Sequence, residues 1–248
     1  KFGIPVIHDL PGVGQNLMNH LSAQVTFKVK DGLSLHGDFE AVHFGLHYTS
    51  EGSSEANDML LRTTPMVDER PERVPGLRTK FLNNDIPAER VARLSVTLGL
   101  PDGSGYVRLA SADPTEQPTF NYCYLQDPND RSRVREGIRK AVSFLESDAY
   151  KDVCDQRLHP TDDILGDDDA LDLYIRKTVG SARHVSGTCK MGPDSDPMAV
   201  VDQYCSVKGV EGLSVVDASV KPKITRSGGS HATVLMMGER AVEWIALA

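Results

Sequence analysis

The run HVSGTCKMGPDSDPMAVVDQYCSVKGVEGLSVVDAS, from His184 to Ser219, decides how this chain is read. A histidine stands just before a Gly-Thr-Cys turn. Further on, the apolar run Leu213, Val215 and Val216 reads as a short strand. Asp217 and Ala218 follow at its carboxyl end, where open α/β sheets place ligands. Ala218 and Ser219 are small enough for backbone N–H groups to approach a phosphate. Beyond a Ser-Gly-Gly-Ser loop comes HATVLMMGERAVEWI, His231 to Ile245. Its apolar stripe, Val234, Gly238, Ala241, Val242 and Ile245, has helical spacing. Strand, small-residue turn and helix N-terminus together resemble the edge of a nucleotide site.

Outward from this run the pattern changes. AQVTFKVK (23–30) alternates, with Ala23, Val25, Phe27 and Val29 on one face, as a half-buried strand does. ARLSVTLGL (92–100) alternates through Leu94, Val96 and Leu98. The PDGSG turn and the run YVRLA after it predict an antiparallel hairpin. Residues 33–89 are polar and weakly patterned, and TSEGSSEAND (49–58) has loop composition. Asp127 suits a helix N-cap and Pro128 the first helical position, where no N–H is required. Val134, Ile138, Ala141, Val142 and Leu145 form the stripe of that helix. A further helix is expected after the acidic run Asp167–Asp169, whose charge favours a helix N-terminus. Strands, then helices, then strand and helix make an α+β or mixed α/β fold.

Composition narrows the function. The chain has 248 residues and a formal charge of −8, and it lacks a basic stripe. Nucleic acid and anionic membranes are therefore not its expected partners. No apolar run reaches the length of a membrane span. Cys123, Cys154, Cys189 and Cys205 lack CxxC spacing and read as reduced thiols. No signal peptide is visible, and the expected location is cytoplasmic.

On spacing alone, His184 is more often a hydrogen-bonded structural residue. A Cys189–His184 nucleophile and base pair has no supporting local signature. A metal bound by His184, Cys189 and His231 has no recognised spacing, so no metal site is expected.

Four stretches carry a family resemblance: PVIHDLPGVGQNLMNH, GYVRLASADPTEQPTFNYCY, the opening run, and HATVLMMGERAVEWI. In this order they resemble the glucose-methanol-choline (GMC) oxidoreductases over nearly the whole chain. The resemblance implies FAD as cofactor and oxidation of alcohols or sugars. It also implies a substrate domain built on an antiparallel sheet, joined to a Rossmann-like FAD domain. Under it, residues 1–20 and 181–248 belong to the FAD domain and catalytic segment, and 21–180 to the substrate domain. His184 matches the catalytic base, and His231 a second hydrogen-bonding group on the same substrate hydroxyl. Asn16, Asp217, Ala218, His231, Ala232 and Thr233 match positions close to the cofactor, and His20 lies in a segment passing near the flavin. An imidazole, with an ordinary pKa near ~6.5, suits proton removal at neutral pH.

One element departs from the family. Gly12 and Gly14 are followed by Leu17, and Gly103 and Gly105 by Arg108, so neither is a Gly-x-Gly-x-x-Gly fingerprint. The chain therefore resembles a C-terminal GMC portion, and a companion chain with the fingerprint half is expected. The alternatives are a GMC-fold hydroxynitrile lyase and a non-catalytic subunit that completes a partner.

Overall fold

The computed structural model describes residues 2–33, 45–65, 91–226 and 230–245. They form two compact units: one of residues 1–21, 99–130 and 181–248, the other of residues 22–98 and 131–180. Residues 99–130, grouped by sequence with the substrate domain, pack in the first unit.

The second unit is a sheet with helices. Its strands are β1 (Leu21–Val29), β2 (Gly45–Tyr48), β3 (Met59–Pro65), β4 (Val91–Leu98) and β7 (Cys154–His159). They lie in the order β2-β3-β4-β1-β7, with β2/β3, β3/β4 and β1/β7 antiparallel. Ala23, Val25, Phe27 and Val29 are all buried, as their alternation predicts. Helix α1 (Pro128–Leu145) begins where expected, and the Asp127 carboxylate accepts the N–H groups of Asn129 and Asp130 at 2.8 and 3.3 Å. Its predicted stripe, Val134 to Leu145, is buried. Gly137 lets this helix approach the sheet, because a Cβ there would stand 2.4 Å from Val96 Cγ1. Two further helices, α2 (Asp162–Leu165) and α3 (Asp168–Thr178), follow β7. Asp167 caps α3 by accepting the Ala170 N–H at 2.8 Å.

The predicted hairpin of 92–100 with 106–110 does not form. Strand β4 pairs with β3 from Met59↔Leu98 to Pro65↔Ala92. Strand β5 (Tyr106–Arg108) pairs instead with β6 (Thr119–Asn121). Hydrogen bonds to the N-terminal segment compete for the same backbone: Gly105 N–H to Leu17 O at 2.8 Å and Val107 N–H to Gly14 O at 2.7 Å. Strands β2 and β3 lie inside the stretch that sequence left unpatterned, and TSEGSSEAND is the loop joining them. Residues 34–44 and 66–90, the rest of that stretch, lie outside the described residues.

The first unit is mostly irregular, with one long helix, α4 (His231–Ile245). Its core is Val200, Val201, Cys205, Val207 and Val220, flanked by Leu10, Met191, Val215, Val216, Met237 and Trp244. Leu213–Val216 is not a strand, since a single bridge, Ser206↔Ser214, holds it. The α4 stripe is also turned from its expected position. Ala241 is buried while Val242 and Ile245 are more than half exposed, and Met237 and Trp244 supply the packing.

Candidate active site

The site forms where residues 16–20 run beside residues 181–188, both in the first unit. Backbone bonds align the two: Met18 and Ser186 exchange N–H···O bonds of 2.9 Å, and Ala182 N–H donates to His20 O at 3.0 Å. Side chains then fix the second segment on the first. Asn16 Nδ2 donates to Gly187 O and to Pro222 O, each at 3.3 Å. Asn19 Oδ1 accepts the His184 N–H at 2.8 Å, and Asn19 Nδ2 donates to Ser181 Oγ at 2.6 Å. Gly187, at φ 94°, lets the strands close, since a Cβ there would meet Asn16 O at 2.3 Å.

The result is a contact between two imidazoles. His20 Nδ1 and His184 Nδ1 lie 2.8 Å apart, with the rings nearly perpendicular. His20 Nε2 lies 3.0 Å from Gly99 O. His20 is 1% exposed, and His184 is partly open to solvent. Burial, and secondly the charge of His184, lower the His20 pKa to about 4. His20 is therefore a neutral ring at neutral pH.

The other predicted residues stand around this pair with differing roles. Asp217 caps the 3₁₀ turn Ala218–Val220 by accepting the Ser219 N–H at 2.7 Å. Backbone bonds connect this turn to the His184 segment: Gly187 N–H to Ala218 O at 3.2 Å and Cys189 N–H to Ser219 O at 2.9 Å. His231 and Ala232 are exposed at the start of α4, where the first N–H groups of a helix lack intrahelical acceptors. Thr233 Oγ1 accepts a 2.6 Å bond from Lys221 Nζ, an ammonium that is 5% exposed. Burial raises the Cys189 thiol pKa, which opposes a thiolate nucleophile.

Sequence reasoning paired His184 with His231; the ring in contact with His184 is His20. It placed Asn16 and His20 near the flavin but missed their bonds to 184–187, and it missed Asn19 altogether. A signal existed in NLMNH (16–20): three polar side chains beside apolar neighbours must find hydrogen-bond partners if buried.

A model of the C-terminal region of GMC oxidoreductases, described as "GMC oxidoreductase", matches residues 101–238. The chain belongs to the GMC oxidoreductase family. Among curated relatives, the oxygen-dependent choline dehydrogenase of Photobacterium profundum is 31% identical, over 98% of this chain and 44% of its own length. Among solved GMC-like structures, a pyridoxine 4-oxidase from Mesorbium loti superposes with TM-score 0.82 at 22% identity, over 99% of this chain and 46% of that one. A formate oxidase of Aspergillus oryzae RIB40, studied for modification of its FAD, gives 0.81 at 22% identity, over 98% and 49%. The chain thus spans less than half the length of the GMC proteins it matches. Its fold is that of the corresponding part of those structures, with one unit an antiparallel sheet with helices and the other mostly irregular.

Proposed function

We propose that this chain is the C-terminal part of an FAD-dependent enzyme that oxidises the CH–OH group of an alcohol or sugar, with His184 as the base. The observation carrying this reading is the His184 ring itself, held through its backbone by Asn19 and through Nδ1 by a buried neutral histidine. An imidazole so fixed removes a hydroxyl proton near neutral pH without losing orientation. His231, exposed at the start of α4, is read as the second group that hydrogen-bonds the substrate oxygen.

The donor set fits FAD. Lys221 is a buried cation whose bond goes to a neutral hydroxyl, beside the positive end of α4. Such a place favours an anionic group. Asn16, Asp217, Ala218, His231, Ala232 and Thr233 are the residues that would hold the cofactor. When bound, FAD supplies the acceptor for the hydride. The fingerprint half of such a site is not among these 248 residues, and the apolar residues that the first unit leaves exposed, such as Val6, Ile7 and Leu235, support a surface that further protein covers.

Anaerobic flavin reduction by a panel of alcohols and sugars, in the intact protein, tests the reading. His184→Ala is expected to slow reduction by about 10²-fold with flavin retained. Reduction at the parent rate would remove His184 from the role of base.

A further inference from the structure

A neutral imidazole has one N–H and one bare nitrogen, and which is which decides where a proton can be taken up. The contacts of His20 settle this for both rings. A backbone carbonyl only accepts, so the 3.0 Å contact of His20 Nε2 with Gly99 O requires a hydrogen on Nε2. His20 is neutral, so its Nδ1 is bare. Nδ1 of His184, 2.8 Å away, must then carry the hydrogen of the bond between the rings. The opposite polarity turns the bare Nε2 of His20 toward the Gly99 carbonyl, setting two acceptors face to face. The one remaining escape, a doubly protonated His20, is opposed by burial and by the nearby charges of His184 and Lys221, although the carbonyls of Gly99 and Thr225 favour it. His20 is only 1% exposed.

We propose that His20 is a positioning residue that locks His184 in the tautomer protonated at Nδ1, so that Nε2 is the atom that receives the substrate proton. The inference rests on the reading of His184 as base. In the step, the hydroxyl O–H bond breaks, its electron pair stays on oxygen, and the proton bonds to His184 Nε2. The imidazolium so formed keeps donating from Nδ1 to His20, and this bond strengthens as its donor becomes charged. His20 thus directs the base before the step and steadies its charge afterwards. Asn19, through the His184 N–H, holds the backbone from which the ring projects.

Two variants separate this role from mere packing. In His20→Asn, the side-chain oxygen sits near the place of Nδ1 and still accepts from His184, while the bond to Gly99 is lost. In His20→Gln, the amide reaches the place of Nε2 and keeps the Gly99 bond, but the acceptor facing His184 is lost. The experiment is long-range ¹⁵N–¹H correlation on the intact protein labelled at histidine nitrogens, with His184 signals assigned through their loss in His184→Ala. Expected is a His184 protonated at Nδ1 in the parent and in His20→Asn, and a population shifted toward the Nε2–H form in His20→Gln. Flavin reduction should fall about tenfold in His20→Gln and within about threefold in His20→Asn, a fraction of the whole effect of a general base. A parent His184 protonated at Nε2 overturns the proposal, as does a tautomer unchanged in His20→Gln. If His184→Ala instead leaves reduction unchanged, the base reading fails while the tautomer result stands, so the two failures are told apart.

Discussion

The two units bury their apolar residues differently. In the unit of residues 22–98 and 131–180, β4 is buried at every position except Arg93, and Phe27, Met59 and Ile138 are sealed. Its exposed large apolar side chains among the described residues are Leu33, Leu46 and Leu173. The other unit exposes Ile4, Val6, Ile7, Leu213, Leu235, Met236, Val242 and Ile245 among others, and its core is a small cluster of valines with Cys205. The first pattern is that of a sheet and helix that close on each other. The second leaves apolar side chains open to solvent, in the unit that also carries the paired histidines. With His184 as the proposed base, scaffold and chemistry are divided between the two, and stability and function should respond to different substitutions.

The largest effect is expected in the sealed unit. Asp58 is fully buried and accepts from Ser50 N–H at 2.8 Å, Ser50 Oγ at 2.6 Å and Arg133 Nη1 at 3.1 Å. Burial pushes its carboxyl up, but these bonds outweigh burial and hold it below the usual range. Asp58→Ala removes from the core the carboxylate that Ser50 and Arg133 bond, and urea unfolding should report a loss of about 3–5 kcal/mol. A loss below about 1 kcal/mol would break the contrast, by showing that the sheet unit tolerates what a closed core does not.

The next effect belongs to the histidine unit and is read against pH. His20 titrates near 4 when folded and near ~6.5 when unfolded, so below that upper value the unfolded chain binds more protons. Stability contributed by the neutral ring is complete above about pH 6.5 and is lost as pH falls to about 4. The difference corresponds to about 3 kcal/mol. In His20→Asn this slope should disappear from the unfolding free energy between those pH values. A slope equal to the parent's would assign the acid sensitivity to other groups.

The smallest effect tests the open surface. Val242 is 65% exposed, so Val242→Ser should change the stability of residues 1–248 by no more than about 0.5 kcal/mol. In the intact protein, if a partner covers this face, the same substitution should cost about 1 kcal/mol or more. Equal values in the two settings would show that α4 stays exposed.

By itself the sequence determined the elements whose signals are local. Alternation through Val25 and Phe27 marks β1, and Asp127-Pro128 and Asp167 mark the starts of α1 and α3, because a strand face or a cap depends on residues a few positions apart. The motif around His184 was legible for the same reason, and it pointed to the right family. Tertiary structure decided what those elements meet. Strand β4 joined β3 rather than β5, Met237 and Trp244 rather than Val242 turned inward, and His184 found His20, which is 164 residues away in the chain. Local periodicity says that a side chain will be buried or bonded. Only the packed chain, which satisfies every buried donor and acceptor at once, says by which partner.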